Sequence, residues 1–188
     1  DEVGGAVTRF EDFSVTPLSR RFGPTDGDLV QQAGPIAEHA SGIFVKDGLV
    51  EARFFNPAPG STNWSFGFLV RRSGPNTFDA IFVRRYEQYG TQQTNWYHIT
   101  RTGSAESSEE LARKSLYGLN TGLRDSNHLL LIVLGDEGWL FVNETLVSKL
   151  NLGVYTERGD VLALSGFFAD DEAPGTITRF QGFTVWSP

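Results

Sequence analysis

Asp1–Val15 reads DEVGGAVTRFEDFSV, and Asp171–Val185 reads DEAPGTITRFQGFTV. The two segments align without a gap at an offset of 171 − 1 = 170 residues, with Asp, Glu, Gly, Thr, Arg, Phe, Phe and Val identical at matched positions. A repeat at a fixed offset bears on the whole fold, because it distinguishes one domain from an array. Two readings stay open. Either related first and last strands lie side by side and close one sheet, or residues 1–15 are the last strand of a preceding copy and residues 16–188 form the domain. In both, Thr8, Phe10, Phe13 and Val15, with their counterparts Phe180, Phe183 and Val185, form a strand at which partners meet.

The 188 residues suit one all-β unit. Its apolar residues are unusual in kind, with 15 Phe and 4 Trp but no Met and no Cys, and 21 Gly favour strands and tight turns. Without cysteine there is neither a disulfide nor a thiolate metal site. The net charge of −7 argues against nucleic acid or an anionic membrane as the main partner. No signal peptide and no apolar run of membrane-spanning length is visible, and the lack of Met suggests that Asp1 is an internal or processed start.

Taken in order, the chain shows strand after strand. Leu49–Asn56, Trp64–Arg71, Thr77–Arg85, Trp96–Arg101, His128–Leu134, Trp139–Asn143, Val147–Leu152 and Asp160–Ala169 have β-rich or alternating patterns separated by turn residues. Trp64, Phe66, Phe68 and Val70 share one face, with Ser65, Gly67, Leu69 and Arg71 on the other. Gly67 predicts a bulge or a close backbone approach. Arg20–Asp28, with its G-P and D-G signals, reads as loop. Leu29–Gln32 reads as a short strand, Tyr86–Asn95 as a polar connection, and the end of Gly103–Arg113 as room for one helical turn. The sum is eleven or twelve strands at even spacing, an antiparallel β-sandwich.

Five pieces carry a resemblance: Asn56-Pro57; Trp64, Gly67, Phe68 and Arg71 as W-x-x-G-F-x-x-R; Trp96 with His98; Val142-Asn143; and the closing G-x-x-T-R-F-x-x-F-x-V. They resemble the concanavalin A-like lectin/glucanase superfamily, and more narrowly bacterial extracytoplasmic domains of the LamG-like or family 16 glycoside hydrolase-like kind. The resemblance implies a jelly-roll fold, a setting outside the bacterial cytoplasm or at the cell surface, and a glycan or another surface ligand as partner. The E-x-D-x-x-E strand of laminarinase-type enzymes, which places its carboxylates on one face, has no match here, so the activity is not carried over. Glu106, Glu109 and Glu110 cluster instead in a Ser-rich stretch.

Sugar recognition needs aromatic faces with amides beside them. Tyr86, Tyr89, Gln92, Gln93, Asn95 and Trp96 supply both within eleven residues, and His98 and Arg71 stand on the same or neighbouring strands. The competing reading makes Trp96 core and the Tyr/Gln stretch a plain connection. Asp26 and Asp28, with Asp170 and Asp171, offer hard oxygen ligands to a structural calcium ion; the alternative is that D-G-D is only a turn. His39, His98 and His128 lack zinc spacing. No catalytic residue and no other cofactor is expected. Three functions remain: a non-catalytic binding module, an assembly domain joined head-to-tail through its terminal strand, and a glycoside-processing enzyme.

Overall fold

The computed structural model describes residues 17–33, 36–57, 63–103 and 108–188. The N-terminal copy of the repeat, with Thr8, Phe10, Phe13 and Val15, lies outside the described residues. Twelve strands are present among the described residues: β1 (Ser19–Val30), β2 (Ala37–Val45), β3 (Gly48–Phe55), β4 (Trp64–Gly74), β5 (Thr77–Gln88), β6 (Thr91–Thr102), β7 (Ser108–Ser115), β8 (Ser126–Leu134), β9 (Glu137–Val142), β10 (Thr145–Asn151), β11 (Gly159–Ser165) and β12 (Ile177–Ser187). They form two six-stranded antiparallel sheets, ordered β1-β12-β3-β8-β9-β10 and β2-β11-β4-β5-β6-β7. This is the expected sandwich, with no helix among the described residues.

Two expectations fail at sheet edges, and a third edge strand carried none. Arg20–Asp28 is not loop but most of β1, broken by three register shifts against β12. Ala37–Val45, left unassigned above, is β2. Ser108–Ser115 is β7 where a helical turn was expected. The Tyr86–Asn95 connection is shorter than expected too: β5 and β6 run on to the pair Gln88↔Thr91, leaving only Tyr89 and Gly90 in the turn. Both have positive φ, 53° and 71°, as a two-residue type I′ hairpin demands. The β9–β10 turn repeats the device with Asn143 and Glu144, at 48° and 62°.

The main core lies between the sheets. Trp64, Phe66 and Phe68 of β4 face Phe54 of β3, with Trp64–Phe66 and Phe54–Phe66 stacked at 4.9 and 5.0 Å. β12 closes the opposite sheet between β1 and β3. Its F-x-x-F spacing defeats simple alternation, and a bulge resolves it. The register shifts between Gln181 and Thr184, with Gly182 at φ 66°, so Phe180 and Phe183 both turn into the core. Gly67 meets its expectation of close approach, since a Cβ there would stand 2.3 Å from the carbonyl oxygen of Ile81.

A second apolar cluster covers the outer face of the β2–β7 sheet: Leu69, Phe78, Ala80, Phe82, Tyr97, Ile99, Leu162 and Leu164, with Ile36, Phe167 and Phe168 packed on it. Phe167 stacks on Phe82 at 4.5 Å, and Phe168 meets Tyr97 edge-on at 5.3 Å. The segment after β11 therefore folds back over its own sheet.

Candidate functional site: a polar and aromatic patch at one end of the sandwich

Strand geometry divides the residues singled out above. Neighbours along a strand point to opposite faces, so Gln92 and Gln93, or Asn95 and Trp96, cannot share one surface. On β6, Trp96 and His98 point into the sandwich and are 2% and 1% exposed. Gln93, Asn95 and Tyr97 point to the outer face, where Tyr86 of β5 joins them through the register pair Tyr86↔Gln93. Tyr89, at the hairpin tip, is 96% exposed. Gln92 lies on the other side of the hairpin, accepting from Arg85 at 3.1 Å and donating to Thr121 Oγ1 at 3.2 Å.

Arg71 stands at the opposite end of the molecule. Alternation assigns it to the outer face, but the β4–β5 register shifts after Val70 and Arg71 takes φ 56°. The bulge re-aims the side chain. The guanidinium is buried and donates to the carbonyls of Lys46 (3.1 Å), Leu152 (3.0 Å), Tyr155 (2.9 Å) and Gly135. Burial pushes its pKa down, against the fields of Asp79, Asp47 and Asp136. Arg71 ties the connections of both sheets together at that end.

The patch around Tyr86 has a charged floor. Arg84 Nε donates to Asp171 Oδ1 at 2.5 Å and its Nη2 to Asp170 Oδ1 at 2.8 Å. Its guanidinium also lies 4.2 Å from the Phe168 ring centroid and 4.7 Å from that of Tyr86. Burial works against this cation, but Asp171 outweighs it and holds the Arg84 pKa above the ordinary value. Tyr97 is an electrostatic neighbour of Arg84, Arg113 and Tyr86. Its influence, followed by that of Glu110, raises the Arg113 pKa, while burial raises that of Tyr86. Asn95 Nδ2 donates to the Tyr86 hydroxyl at 3.2 Å. The result is a half-buried tyrosine ring held by an amide and an arginine, with Gln93 beside it.

Asp170 and Asp171, read above as calcium ligands, are the partners of Arg84. Asp171 is fully buried and also accepts from the Ser65 hydroxyl (2.5 Å) and the Phe168 amide (3.0 Å). Asp26 and Asp28 lie within β1, and Asp26 Oδ1 accepts the Gly182 amide at 2.8 Å, pinning the β12 bulge. Among the described residues no three His, Asp or Glu side chains gather as metal ligands.

Glu172 completes the D-D-E run that offers hard oxygen ligands in the sequence, and its burial is not expected from that run. It is 7% exposed and beside Asp171, and it accepts from the Thr178 hydroxyl at 3.3 Å. Burial, reinforced by Asp171, raises its pKa to about 8. Burial raises that of Asp171 as well, against Ser65 and Arg84. Two adjacent carboxyls of unequal acidity resemble acid–base machinery. Among the described residues these two are enclosed by Ser65, Arg84, Phe168 and Thr178 and are 0% and 7% exposed. The signal available in sequence was the D-D-E run itself, which reads as a solvated loop.

No protein-family model matches the sequence, and no match was found among curated proteins. Solved structures do resemble it. The carbohydrate-binding module CBM66 from Bacillus subtilis superposes with a TM-score of 0.60 at 11% identity, covering 90% of this chain and 95% of that one. The Bacillus licheniformis β-glucanase gives 0.56 at 10% identity, covering 95% of each chain. The catalytic domain of an endo-1,3-β-glucanase (laminarinase) from Thermotoga petrophila gives 0.53 at 18% identity, covering 80% and 68%. At these identities the likeness is one of fold, and the fold is the concanavalin A-like jelly roll.

Proposed function

We propose that the chain is a non-catalytic carbohydrate-binding module acting outside the cytoplasm, with its ligand on the patch formed by Tyr86, Gln93 and Asn95. The observation that carries this reading is the Tyr86 ring, half-buried and braced by Asn95 and Arg84 with Gln93 across the strand pair. A fixed aromatic face supplies the apolar platform for a pyranose, and the amides supply donors and acceptors for its hydroxyls. Tyr89 and Arg113 flank it. The rest of the outer face supports binding over hydrolysis, because its centre is apolar and overlaid by Phe167 and Phe168. A retaining glycosidase needs two carboxyls about 5–5.5 Å apart and open to substrate, and the buried Asp171–Glu172 pair does not meet that need. The likeness to a carbohydrate-binding module over nearly its whole length is in keeping with this function.

The test is retention on a panel of immobilised neutral glycans: β-1,3- and β-1,4-glucans, galactans and fructans. The chain is expected to be held by at least one of them. Tyr86→Ala should weaken that binding at least about 10-fold, the loss of one stacking contact of roughly 1.5 kcal/mol. Unchanged retention by the variant would remove the patch from consideration.

The terminal repeat favours a second reading. In β12, Thr178, Phe180, Phe183 and Val185 are all at most 1% exposed, and the N-terminal copy has the same residue at each of these positions. It also places Asp12 opposite Gly182, and Asp tolerates positive φ better than most residues. Thr8–Val15 thus has what a β12-type strand requires, while the slot between β1 and β3 is already filled. The reading is that this segment closes, or pairs with, a neighbouring copy. Light scattering should then show association of the full chain and a folded monomer after removal of residues 1–15. Identical masses per chain with retained folding would reject it.

A further inference from the structure

The two sheets part at the edge where β7 faces β10, leaving a cleft of about 620 Å³ counted out to its open mouth. Trp96, His98 and Leu150 form its floor, Leu111 and Val154 its apolar walls, and Lys114 and Lys149 stand along it. It is a different surface from the Tyr86 patch, because Trp96 and His98 lie on the inward face of β6.

The floor has unusual chemistry. His98 Nε2 lies 3.0 Å from Asp79 Oδ1, and Asp79 is fully buried on the neighbouring strand. A carboxylate only accepts, so Nε2 carries the hydrogen, and in the neutral ring Nδ1 is left as an acceptor. Oδ2 of Asp79 has no hydrogen-bond partner. A carboxylate-held imidazole inside a sandwich is expensive to bury, and the Asp79 carboxylate also acts through its field on the buried Arg71 guanidinium. Among the described residues, the ring lines this cleft. Lys149 is paired with Glu137 at 2.5 Å, whereas no ion pair is formed by Lys114 among the described residues.

We propose that this edge cleft binds a small hydroxylated carboxylate of the sugar-acid class. One hydroxyl of the ligand donates to His98 Nδ1, its ring lies against Leu111 and Val154, and its carboxylate meets Lys114. The assignment is independent of the outer-face reading. A neutral glycan on the Tyr86 patch neither requires it nor excludes it.

Digalacturonate is the probe, with neutral digalactose as comparison. The chain has three histidines, His39, His98 and His128, so imidazole NMR signals can be assigned by substitution at the other two. Digalacturonate is expected to shift the His98 signals and leave those of His128 in place. Affinity should fall about 5- to 10-fold in Lys114→Gln and be abolished by Val154→Trp, which fills the mouth from a half-exposed position. Digalactose should bind at least about 10-fold more weakly than the acid. Unmoved His98 signals at millimolar digalacturonate would overturn the proposal. So would equal affinity for the neutral sugar, or full affinity in Val154→Trp. Loss of glycan binding by Tyr86→Ala with the His98 shifts intact would separate the two sites.

Discussion

Arg71→Met is expected to lower the unfolding free energy by about 3–5 kcal/mol, enough to remove much of the stability of an ordinary domain. Methionine approximates the aliphatic stem, so the loss isolates the guanidinium. Four carbonyl oxygens, of Lys46, Gly135, Leu152 and Tyr155, lose their donor at once. Asp47 loses a cation at 3.8 Å. These carbonyls belong to three different connections, so no single rearrangement restores them. Arg71→Lys should recover little, because one ammonium cannot reproduce the planar fork. Urea denaturation of both variants measures the effect, and a loss below about 1 kcal/mol would show that water replaces the guanidinium without difficulty.

Stability should also fall as the solution is made alkaline, through Glu172. Its pKa is raised from 4.5 to about 8 in the folded chain. The folded state therefore holds a proton that the unfolded state has released across this interval. The contribution is fully present below about pH 4.5 and is lost as pH rises through about 8. Asp171, raised in the same direction by burial, adds in the same sense. The expected decline between pH 5 and pH 8.5 is roughly 3–5 kcal/mol. Glu172→Gln keeps an acceptor for the Thr178 hydroxyl and cannot ionise, so its decline over the same range should be much smaller, with only the part due to Asp171 left. Denaturant midpoints at several pH values check this. A flat profile for the parent chain, or an equal slope in the variant, would contradict the assignment.

The strands that sequence made legible are those with an unbroken apolar row facing the core. β4 and β8 announce themselves because every second residue faces the core and is apolar. The strands it missed, β1, β2 and β7, are edges. An edge strand packs against one neighbour only and tolerates polar and turn-forming residues, so Gly23, Pro24 and the D-G-D run sit within β1 without ending it. Bulges account for the remaining failures. Arg71 follows a register shift, and Phe180 and Phe183 stand on either side of a bulge, so simple alternation gives the wrong face at each.

The site was legible in part. The Tyr86–His98 stretch did bring aromatic and amide groups together, but the alternation that identifies its strands also sends Trp96 and His98 inward and Tyr86, Gln93 and Asn95 outward. Arg84 and Asp171, which build the floor of the patch, are 87 residues apart. Only the fold brings the segment after β11 back across β5. Glu172 was illegible for a similar reason, since three acidic residues in a row give no sign that the fold encloses two of them.

The central claim is that the outer-face patch binds sugar without cleaving it. The most direct measurement places the chain and Tyr86→Ala on the neutral glycan panel and records, on the same samples, both retention and the release of new reducing ends. Retention of the chain, its loss in the variant and no release of reducing ends is the result this account predicts. New reducing ends, or retention that survives Tyr86→Ala, would contradict it.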